Sequence, residues 1–287
     1  MKKQDTYSLI DSGNGRKLER FGPYLLDRPS AVTVWQPLLA EDEWKKADAF
    51  FARESESSEW LFRTSVPSSW VIHVAEIAFK ISPTDFGHLG LFPEQDPFWK
   101  WIRETVREAV KARSKQPEIL NLFAYSGGST MAAAQAGAAV CHLDASKGMV
   151  AWARENAVLN ELQGAPIRWI VDDVFKFLSR EKKRGRRYDG IILDPPSFGR
   201  GSQGELFKIE EDIQPLLRLC KELLSDDPLF LLFSCHTPGF TPSVMENLLG
   251  QTVQGLKGTL DSGEMSLSGA KLPLPSGTFS RWTHVIS

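Results

Sequence analysis

The sequence contains no long apolar segment and little cysteine. No stretch approaches the roughly 20 consecutive apolar residues that cross a bilayer, and the N-terminus turns polar at once instead of entering an apolar signal region. The three cysteines, Cys141, Cys220 and Cys235, lie far apart without a CxxC pair, which argues against a disulfide framework and a zinc cluster. We therefore expect a cytoplasmic protein with no membrane contact and no metal site.

Motifs that cradle phosphates are missing as well. The sequence has no G-K-[ST], and after Gly127 and Gly128 no glycine follows until Gly137, so G-x-G-x-x-G is absent. The net charge of −2 at pH 7 gives no general basic footprint for nucleic acid. The missing glycine motif argues against a nicotinamide oxidoreductase and favours a nucleoside ligand without a diphosphate.

The chain does have enough apolar material for two cores, because 42% of its 287 residues are hydrophobic. We expect a small α+β domain at residues 1–95, where short aromatic-rich runs are separated by turn signals. A short helix is predicted over 44–54, and a strand at the end of 70–81. The first 98 residues carry 11 Lys and Arg against 15 Asp and Glu, so this part is net acidic.

Residues 96–287 are predicted to form the larger domain. Asp96-Pro97 begins a helix, because an N-cap residue precedes a proline at the first helical position. Five apolar strands then alternate with helices, which predicts a doubly wound parallel sheet. The helix before the fifth strand is expected over 205–224. The tail over 263–287, punctuated by glycine and proline, fits an antiparallel pair at the sheet edge. The expected fold class is α/β, with a seven-stranded, mostly parallel sheet.

Polar or glycine-rich segments follow four of the predicted strands. The first strand leads into a glycine-paired turn at 124–130, and the second ends at Asp144, where an acid accepts hydrogen bonds from ribose hydroxyls in many such folds. The third ends at 172–173 and the fourth at 194–196. Ligands bind at the carboxyl ends of parallel strands. Asp144 and Asp173 are thus candidate ligand groups, although each could instead cap the following helix.

Four segments together resemble the class I S-adenosylmethionine-dependent methyltransferases, and within that class the catalytic domain of the bacterial large-subunit rRNA cytosine-C5 methyltransferases. These segments are 121–130, 143–146, 172–175 and 194–198. The resemblance covers roughly 85–287, and it implies S-adenosylmethionine as cofactor and S-adenosylhomocysteine as product.

The resemblance also implies a cofactor site. Ser126 and Gly127 would pass close to the methionine part of the cofactor, Asp144 would hold the ribose, and Asp173 with the Val174 backbone would read the adenine, with Asp172 as the alternative reader. The other expected cofactor contacts are Tyr125, Ser146, Asp194, Phe92 and Gln95. Phe92 and Gln95 would close over the cofactor, although Phe92 could instead be core.

The run 194–198 is the most informative segment. Its two prolines fix the backbone and remove two amide donors, so the carbonyls and the Asp194 carboxylate present acceptors at a strand end. An amino-bearing base fits that array, with Asp194 and Pro195 as catalytic groups and Pro196 and Phe198 as substrate contacts. Phe198 could stack on a planar base. The competing interpretations are a rigid structural turn and core packing of Phe198.

Ser234-Cys235-His236 follows the fifth strand, and the family that the chain resembles places a Ser-Cys pair there. A thiolate that adds to C6 of cytosine makes C5 nucleophilic toward the sulfonium methyl, after which a base removes the C5 proton. His236 could tune the thiol, although alternation along a strand points neighbouring side chains apart. If Cys235 is an ordinary buried cysteine, 194–196 better suits attack by an exocyclic amine, which needs only orientation.

We therefore expect a methyltransferase that acts on a base in RNA, specifically rRNA, with residues 1–95 helping to position the substrate. The alternatives are a protein or small-molecule acceptor, and a nucleoside-binding module without catalysis. The basic run 180–187 is expected to be a solvated helix end, although it could meet phosphates. The loop 199–204 is expected to be mobile and to contact substrate. The oligomeric state is left open.

Overall fold

The computed structural model describes residues 6–53, 58–201, 204–267 and 269–284. The chain divides into two compact units. The first comprises Met1–Asp96 and Ser266–Ser276, and the second comprises Pro97–Met265 and Gly277–Ser287. The C-terminal tail therefore contributes to both units. Within the described ranges, no helix is both long and apolar enough to cross a bilayer.

The first unit is built mainly from strands. Its strands are β1 Tyr7–Gly13, β2 Arg16–Phe21, β3 Tyr24–Pro29, β4 Ala49–Arg53, β5 Ser58–Phe62, β6 Trp70–Val74 and β7 Ile77–Ile81. Strands β1 to β5 form one sheet in chain order, and β6 pairs with β7 as an antiparallel hairpin. A short helix α1, Glu41–Trp44, precedes β4, and a 3₁₀ turn covers Pro93–Gln95.

The helix predicted over 44–54 is wrong. Helix α1 ends at Trp44, and β4 pairs with β3 and β5 instead. The reason is that Ala49 and Phe51 are buried alternately, a period of two that suits a strand. Over 70–81 the predicted strand is the second arm of a hairpin, whose turn places Ala75 and Glu76 at left-handed φ values of 50° and 62°.

A buried charge cluster lies on β2 and β3. The carboxylate of Glu19 is fully buried and accepts hydrogen bonds from Arg28 Nε and Nη2 at 2.8 and 3.0 Å. Lys17 Nζ lies 3.3 Å from the same carboxylate, and Tyr7 Oη donates to it at 3.0 Å. Burial alone would raise the pKa of Glu19, but Arg28 and Lys17 outweigh burial and hold that pKa below its usual value.

Replacing Glu19 with Gln is expected to destabilise the protein by about 3–5 kcal/mol at neutral pH, because it leaves buried cations uncompensated. The folded-state pKa is lowered, so the stabilisation is present above the unfolded pKa of about 4.3 and is lost as the pH falls through the lower folded value. Urea unfolding across a pH series measures this. The exposed Glu59→Gln is the control, and a penalty for Glu19→Gln that stays constant down to acidic pH would contradict the expectation.

The second unit contains the large sheet. Its helices are α2 Asp96–Ala112, α3 Gly128–Gln135, α4 Lys147–Leu159, α5 Val174–Lys183, α6 Ile209–Leu223 and α7 Pro242–Val253. Its strands are β8 Glu118–Leu122, β9 Ala139–Asp144, β10 Ile167–Val171, β11 Gly190–Leu193, β12 Phe198–Arg200, β13 Leu206–Lys208, β14 Phe230–Cys235, β15 Thr259–Leu267 and β16 Leu274–Thr283. Helix α2 begins in the last residue of the first unit, and β15 and β16 extend into the tail segment of that unit.

The seven-stranded sheet has the order β10-β9-β8-β11-β14-β16-β15. Strands β8 to β11 and β14 pair in parallel, whereas β16 runs antiparallel to β14. The predicted mostly parallel α/β fold and the antiparallel tail at the sheet edge are both confirmed. The strand order reverses at β8, so the carboxyl ends of β8 and β11 flank the topological switch point, where ligands bind in open α/β sheets.

The segment after β11 differs from its predicted form. A helix was expected from residue 205, but β12 and β13 form a two-stranded hairpin before α6 begins at Ile209. Gly199 and Phe207 face one side of this ladder, with Phe207 buried. The predicted mobile loop over 199–204 therefore begins in a strand, and its residues 202–203 lie outside the described residues.

Candidate active site

The turn after β8 has an unusual backbone. Tyr125 has a φ of 49°, a left-handed value that non-glycine residues rarely adopt, and Gly127 has a φ of 90°. A Cβ on Gly128 would lie 2.5 Å from the ring of Trp99. Glycine is therefore required at 128 by packing and favoured at 127 by conformation. The sequence predicted this close backbone turn, and strain of this kind is typical of ligand sites.

Asp144 is fixed against that turn. Its Oδ2 accepts a hydrogen bond from Tyr125 N at 2.9 Å, and its Oδ1 accepts one from Ser146 N at 2.8 Å. Burial raises the pKa of Asp144, and the two backbone donors partly offset that rise. Each carboxylate oxygen retains capacity to accept a further bond. The carboxylate is thus oriented at a strand end by two amides, with acceptor sites left for a diol.

A buried polar network supports the turn from beneath. Asn121 Nδ2 donates to Thr130 Oγ1 at 2.9 Å, and Thr130 Oγ1 lies 2.9 Å from His142 Nδ1. Burial lowers the pKa of His142 to about 3, so this imidazole is neutral at physiological pH. Asn156 Nδ2 donates to the carbonyl of Ser126 at 2.9 Å. Sequence reasoning missed this network, whose members are spread over four elements.

Three other predicted cofactor residues occupy helix N-termini. Asp173 Oδ1 caps α5 by accepting from Lys176 N at 2.9 Å, and Ser146 Oγ caps α4. Val174 begins α5 and is buried. Capping of the following helix, the alternative role considered for Asp173, therefore accounts for its Oδ1 atom. Its neighbour Asp172 is ion-paired to Arg180 and accepts from the Asp173 amide.

The corner after β11 faces the end of β14. Asp194 Oδ1 lies 3.3 Å from His236 Nδ1. The side chain of His236 is 32% exposed and that of Asp194 is 28% exposed. Ser197 Oγ and Thr237 Oγ1 share a hydrogen bond of 2.8 Å, which holds the corner to the neighbouring strand end. Pro195 is buried and Pro196 is exposed. The pairing of Asp194 with His236 was missed by sequence reasoning, although β11 and β14 were both predicted as strands of one sheet.

Cys235 is the last residue of β14, and His236 follows it outside the strand. Its side chain is buried and belongs to the same core cluster as Phe233 and Met245. Burial raises the pKa of the Cys235 thiol, and hydrogen bonds from Thr237, whose amide donates to Sγ at 3.4 Å, partly counter that rise. A thiol in this setting is protonated at neutral pH.

The hairpin after the corner presents an exposed face. Phe198, Arg200, Leu206 and Lys208 are all exposed, and in the β12–β13 ladder Phe198 pairs with Lys208 and Arg200 with Leu206. Phe198 is 54% exposed, so the core-packing interpretation of this ring is not supported. Lys208 forms an ion pair with Glu211 at 3.0 Å.

Two predicted cofactor residues belong to the first unit. Phe92 is half-buried and meets the ring of His88 edge to face, with 5.6 Å between centroids. Gln95 is buried at the end of the 3₁₀ turn. In the basic run, ion pairs with acids engage Arg180, Lys182, Arg184 and Arg186, as expected of a solvated helix end. Within the described ranges, no group of three or more metal-ligating side chains is found.

The sheet order and the turn, carboxylates and diproline corner at its strand ends define the class I methyltransferase fold. The chain belongs to the S-adenosylmethionine-dependent methyltransferase family, whose model matches residues 47–255. A crystal structure of an S-adenosylmethionine-dependent methyltransferase from Agrobacterium tumefaciens is 38% identical, with a TM-score of 0.91 over 96% of this chain and 90% of that one.

Two curated relatives carry more specific names. Ribosomal RNA large subunit methyltransferase I from Escherichia coli is 32% identical over 251 residues, which cover 80% of this chain and 61% of that protein. Ribosomal RNA large subunit methyltransferase K/L from Marinobacter nauticus is 34% identical over 167 residues, which cover 57% of this chain and 22% of that protein. The chain thus spans less than two thirds of the length of either relative.

The cofactor of this family is S-adenosylmethionine. The cofactor supplies an electrophilic methyl group on a sulfonium. The residues present fit it, because a half-buried carboxylate at Asp144, fixed by two backbone amides, suits a ribose diol.

Proposed function

We propose that this methyltransferase modifies a base in RNA, specifically rRNA, at an exocyclic amine held by the corner 194–196. The observation that carries the proposal is the corner itself, with a carboxylate and prolines at the switch-point strand end and His236 3.3 Å from Asp194. The named activities of the two rRNA methyltransferase relatives support RNA as the substrate class. The cofactor contacts predicted for Phe92, Gln95, Tyr125, Ser126, Ser146, Asp173 and Val174 belong to this proposal.

In this proposal the corner orients the acceptor nitrogen. Asp194 and the carbonyl of Pro195 accept its N–H bonds, which directs the nitrogen lone pair at the methyl group. The N–C bond forms as the S–C bond breaks, and S-adenosylhomocysteine leaves. The methylated nitrogen then loses one proton, which Asp194 accepts, with His236 stabilising the carboxylate. Pro196 and the exposed Phe198 contact the base, and residues 1–95 help to position the RNA.

A second candidate is methylation of cytosine C5 with Cys235 as nucleophile. It is favoured by the Thr237 amide, which donates to Sγ at 3.4 Å and would stabilise a thiolate. The burial of Cys235 and its raised pKa favour the amine instead. The two candidates differ in one requirement, because only C5 chemistry needs a covalent bond to sulfur.

Replacing Cys235 with Ala is therefore expected to leave methyl transfer at the rate of the parent protein. The measurement is transfer of labelled methyl into rRNA transcripts, followed by mass analysis of the modified nucleoside, which should carry an N-methyl group. Cys220→Ala, at a fully buried cysteine of α6, controls for loss of core volume. Abolished transfer by Cys235→Ala, with the control active and both variants folded, would establish the C5 candidate.

Offering RNA, protein and small-molecule fractions side by side tests the substrate class. We expect label from S-adenosylmethionine in the rRNA fraction. Label confined to protein or to small molecules would refute the RNA assignment. Binding of S-adenosylhomocysteine without transfer to any fraction would favour a nucleoside-binding module without catalysis.

A further inference from the structure

The first unit contains a cavity of about 250 Å³, whose lining includes Phe92 and no other residue proposed above for the cofactor or the acceptor base. Three phenylalanines, Phe51, Phe86 and Phe92, contribute to its wall. The charged side chains of Lys17, Arg28 and Glu94 also line it. The cavity therefore combines aromatic surfaces with charged groups.

The charges around the cavity cancel. Lys17 and Arg28 supply two positive charges, while Glu94 and the fully buried Glu19 behind the wall supply two negative ones. A phosphate would bring uncompensated negative charge into this setting. A neutral ligand with a polar edge suits it better, since its own donors and acceptors can pair with both signs.

Contacts with the described residues engage only some of the donors of Arg28 and Lys17. Of the five N–H bonds of Arg28, two go to Glu19 and one to the carbonyl of Gly87 at 3.0 Å. Lys17 pairs with Glu19 at 3.3 Å through one of three ammonium protons. Buried ion pairs of this kind contribute little net stability compared with apolar packing. A binding role accounts for a buried charge cluster beside a cavity better than stability does.

The aromatic wall is held in place. Gly87 has a φ of 77°, and a Cβ there would lie 2.8 Å from the ring of Phe51, so only glycine allows this approach. Phe51 also meets Trp60 edge to face at 5.3 Å between ring centroids. Phe86 at the cavity is 75% exposed, which leaves its ring face available for stacking.

We propose that this cavity receives one unpaired base of the RNA substrate. The inference rests on the proposed function, because it takes RNA as the substrate. The Phe86 ring stacks on the base, Lys17 and Arg28 donate to its carbonyl or ring nitrogen, and Glu94 accepts from its amino group. The volume lies below the roughly 300–1,000 Å³ of sites for drug-sized ligands, so one base enters and its sugar-phosphate stays outside.

Ultraviolet cross-linking tests the placement. The full chain, saturated with S-adenosylhomocysteine, is irradiated with a pool of short single-stranded oligoribonucleotides, and cross-linked tryptic peptides are identified by mass spectrometry. We expect cross-links in the peptide over 81–100, which contains Phe86 and Phe92. Cross-links found solely in other peptides would overturn the proposal.

Binding measurements with a matched pair of variants give a second test. Phe86→Ala is expected to weaken RNA binding by about 5- to 150-fold, the loss typical of one base–aromatic stack. Phe62→Ala, at a phenylalanine of the same unit that is 50% exposed, should leave binding unchanged. Lys17→Met, which keeps Glu19 paired with Arg28, should weaken binding in the same way, with thermal unfolding confirming the fold.

The outcomes separate this proposal from the proposed function. If the parent protein binds and methylates RNA while Phe86→Ala and Lys17→Met bind it equally well, the cavity proposal fails and the proposed function stands. If the parent binds S-adenosylhomocysteine but neither binds nor methylates RNA, the proposed function fails. Saturable binding of free nucleosides, lost in Phe86→Ala while RNA affinity is unchanged, would also overturn an RNA subsite.

Discussion

Replacing Asp194 with Ala is expected to reduce methyl transfer by about 10²- to 10⁴-fold, the contribution typical of a positioned acid–base group. The carboxylate both orients the acceptor nitrogen and takes its proton, so its loss removes two functions at once. The contact with the neighbouring His236, 3.3 Å away, is lost as well. Initial rates of label transfer into rRNA measure the effect.

The loss should fall on turnover and not on the fold. Thermal unfolding of Asp194→Ala should match that of the parent, because the carboxylate is partly exposed and joins no core cluster in the described residues. Asp261→Ala, which removes a more exposed carboxylate paired with Arg281, is the matched control. A rate within a few-fold of the parent for Asp194→Ala would remove the corner from the proposed mechanism.

Replacing Asp144 with Asn is expected to weaken S-adenosylhomocysteine binding by about 10- to 150-fold, the equivalent of 1.5–3 kcal/mol for a hydrogen bond to a charged group. The amide keeps the shape of the carboxylate but cannot accept from both Tyr125 N and Ser146 N while also receiving a ribose diol. Calorimetry measures the dissociation constant. An affinity equal to that of the parent would show that Asp144 does not hold the ribose.

The same site predicts a pH dependence. Burial raises the pKa of Asp144, so the ionised form that accepts from the diol is depleted at a higher pH than for an exposed aspartate. Affinity for S-adenosylhomocysteine should therefore fall as the pH drops through this raised pKa. In Asp144→Asn that dependence should disappear, while Asp261→Asn should keep the parent profile.

Most of the predictions about the site came from short segments that directly follow a predicted strand. The glycine turn at 124–130, Asp144 and the diproline corner each follow an apolar strand, and parallel strands place their carboxyl ends at one edge. The same logic could not locate the polar network of Asn121, Thr130 and His142. Its contacts depend on how β8, β9 and α3 pack, which local patterns do not report.

Prediction was weaker in the first unit, where short elements alternate. Within the helix assigned to 44–54, residues 49–53 form strand β4 instead, because pairing with β3 and β5 outweighs local helix propensity, and residue 54 lies outside the described residues. The hairpin of β12 and β13 was likewise hidden in a segment expected to begin a helix. The buried cluster around Glu19 could not be foreseen, since charged residues on strands usually face solvent.

By itself the sequence determined the doubly wound sheet and the order of the strand-end motifs, because hydrophobic periodicity and turn residues act over short distances. Only the tertiary structure decided which face of each strand is covered. It turned Cys235 into the core and His236 toward Asp194, and it left the Phe198 ring exposed. These outcomes depend on side chains from distant elements packing together, and packing is a property of the assembled fold.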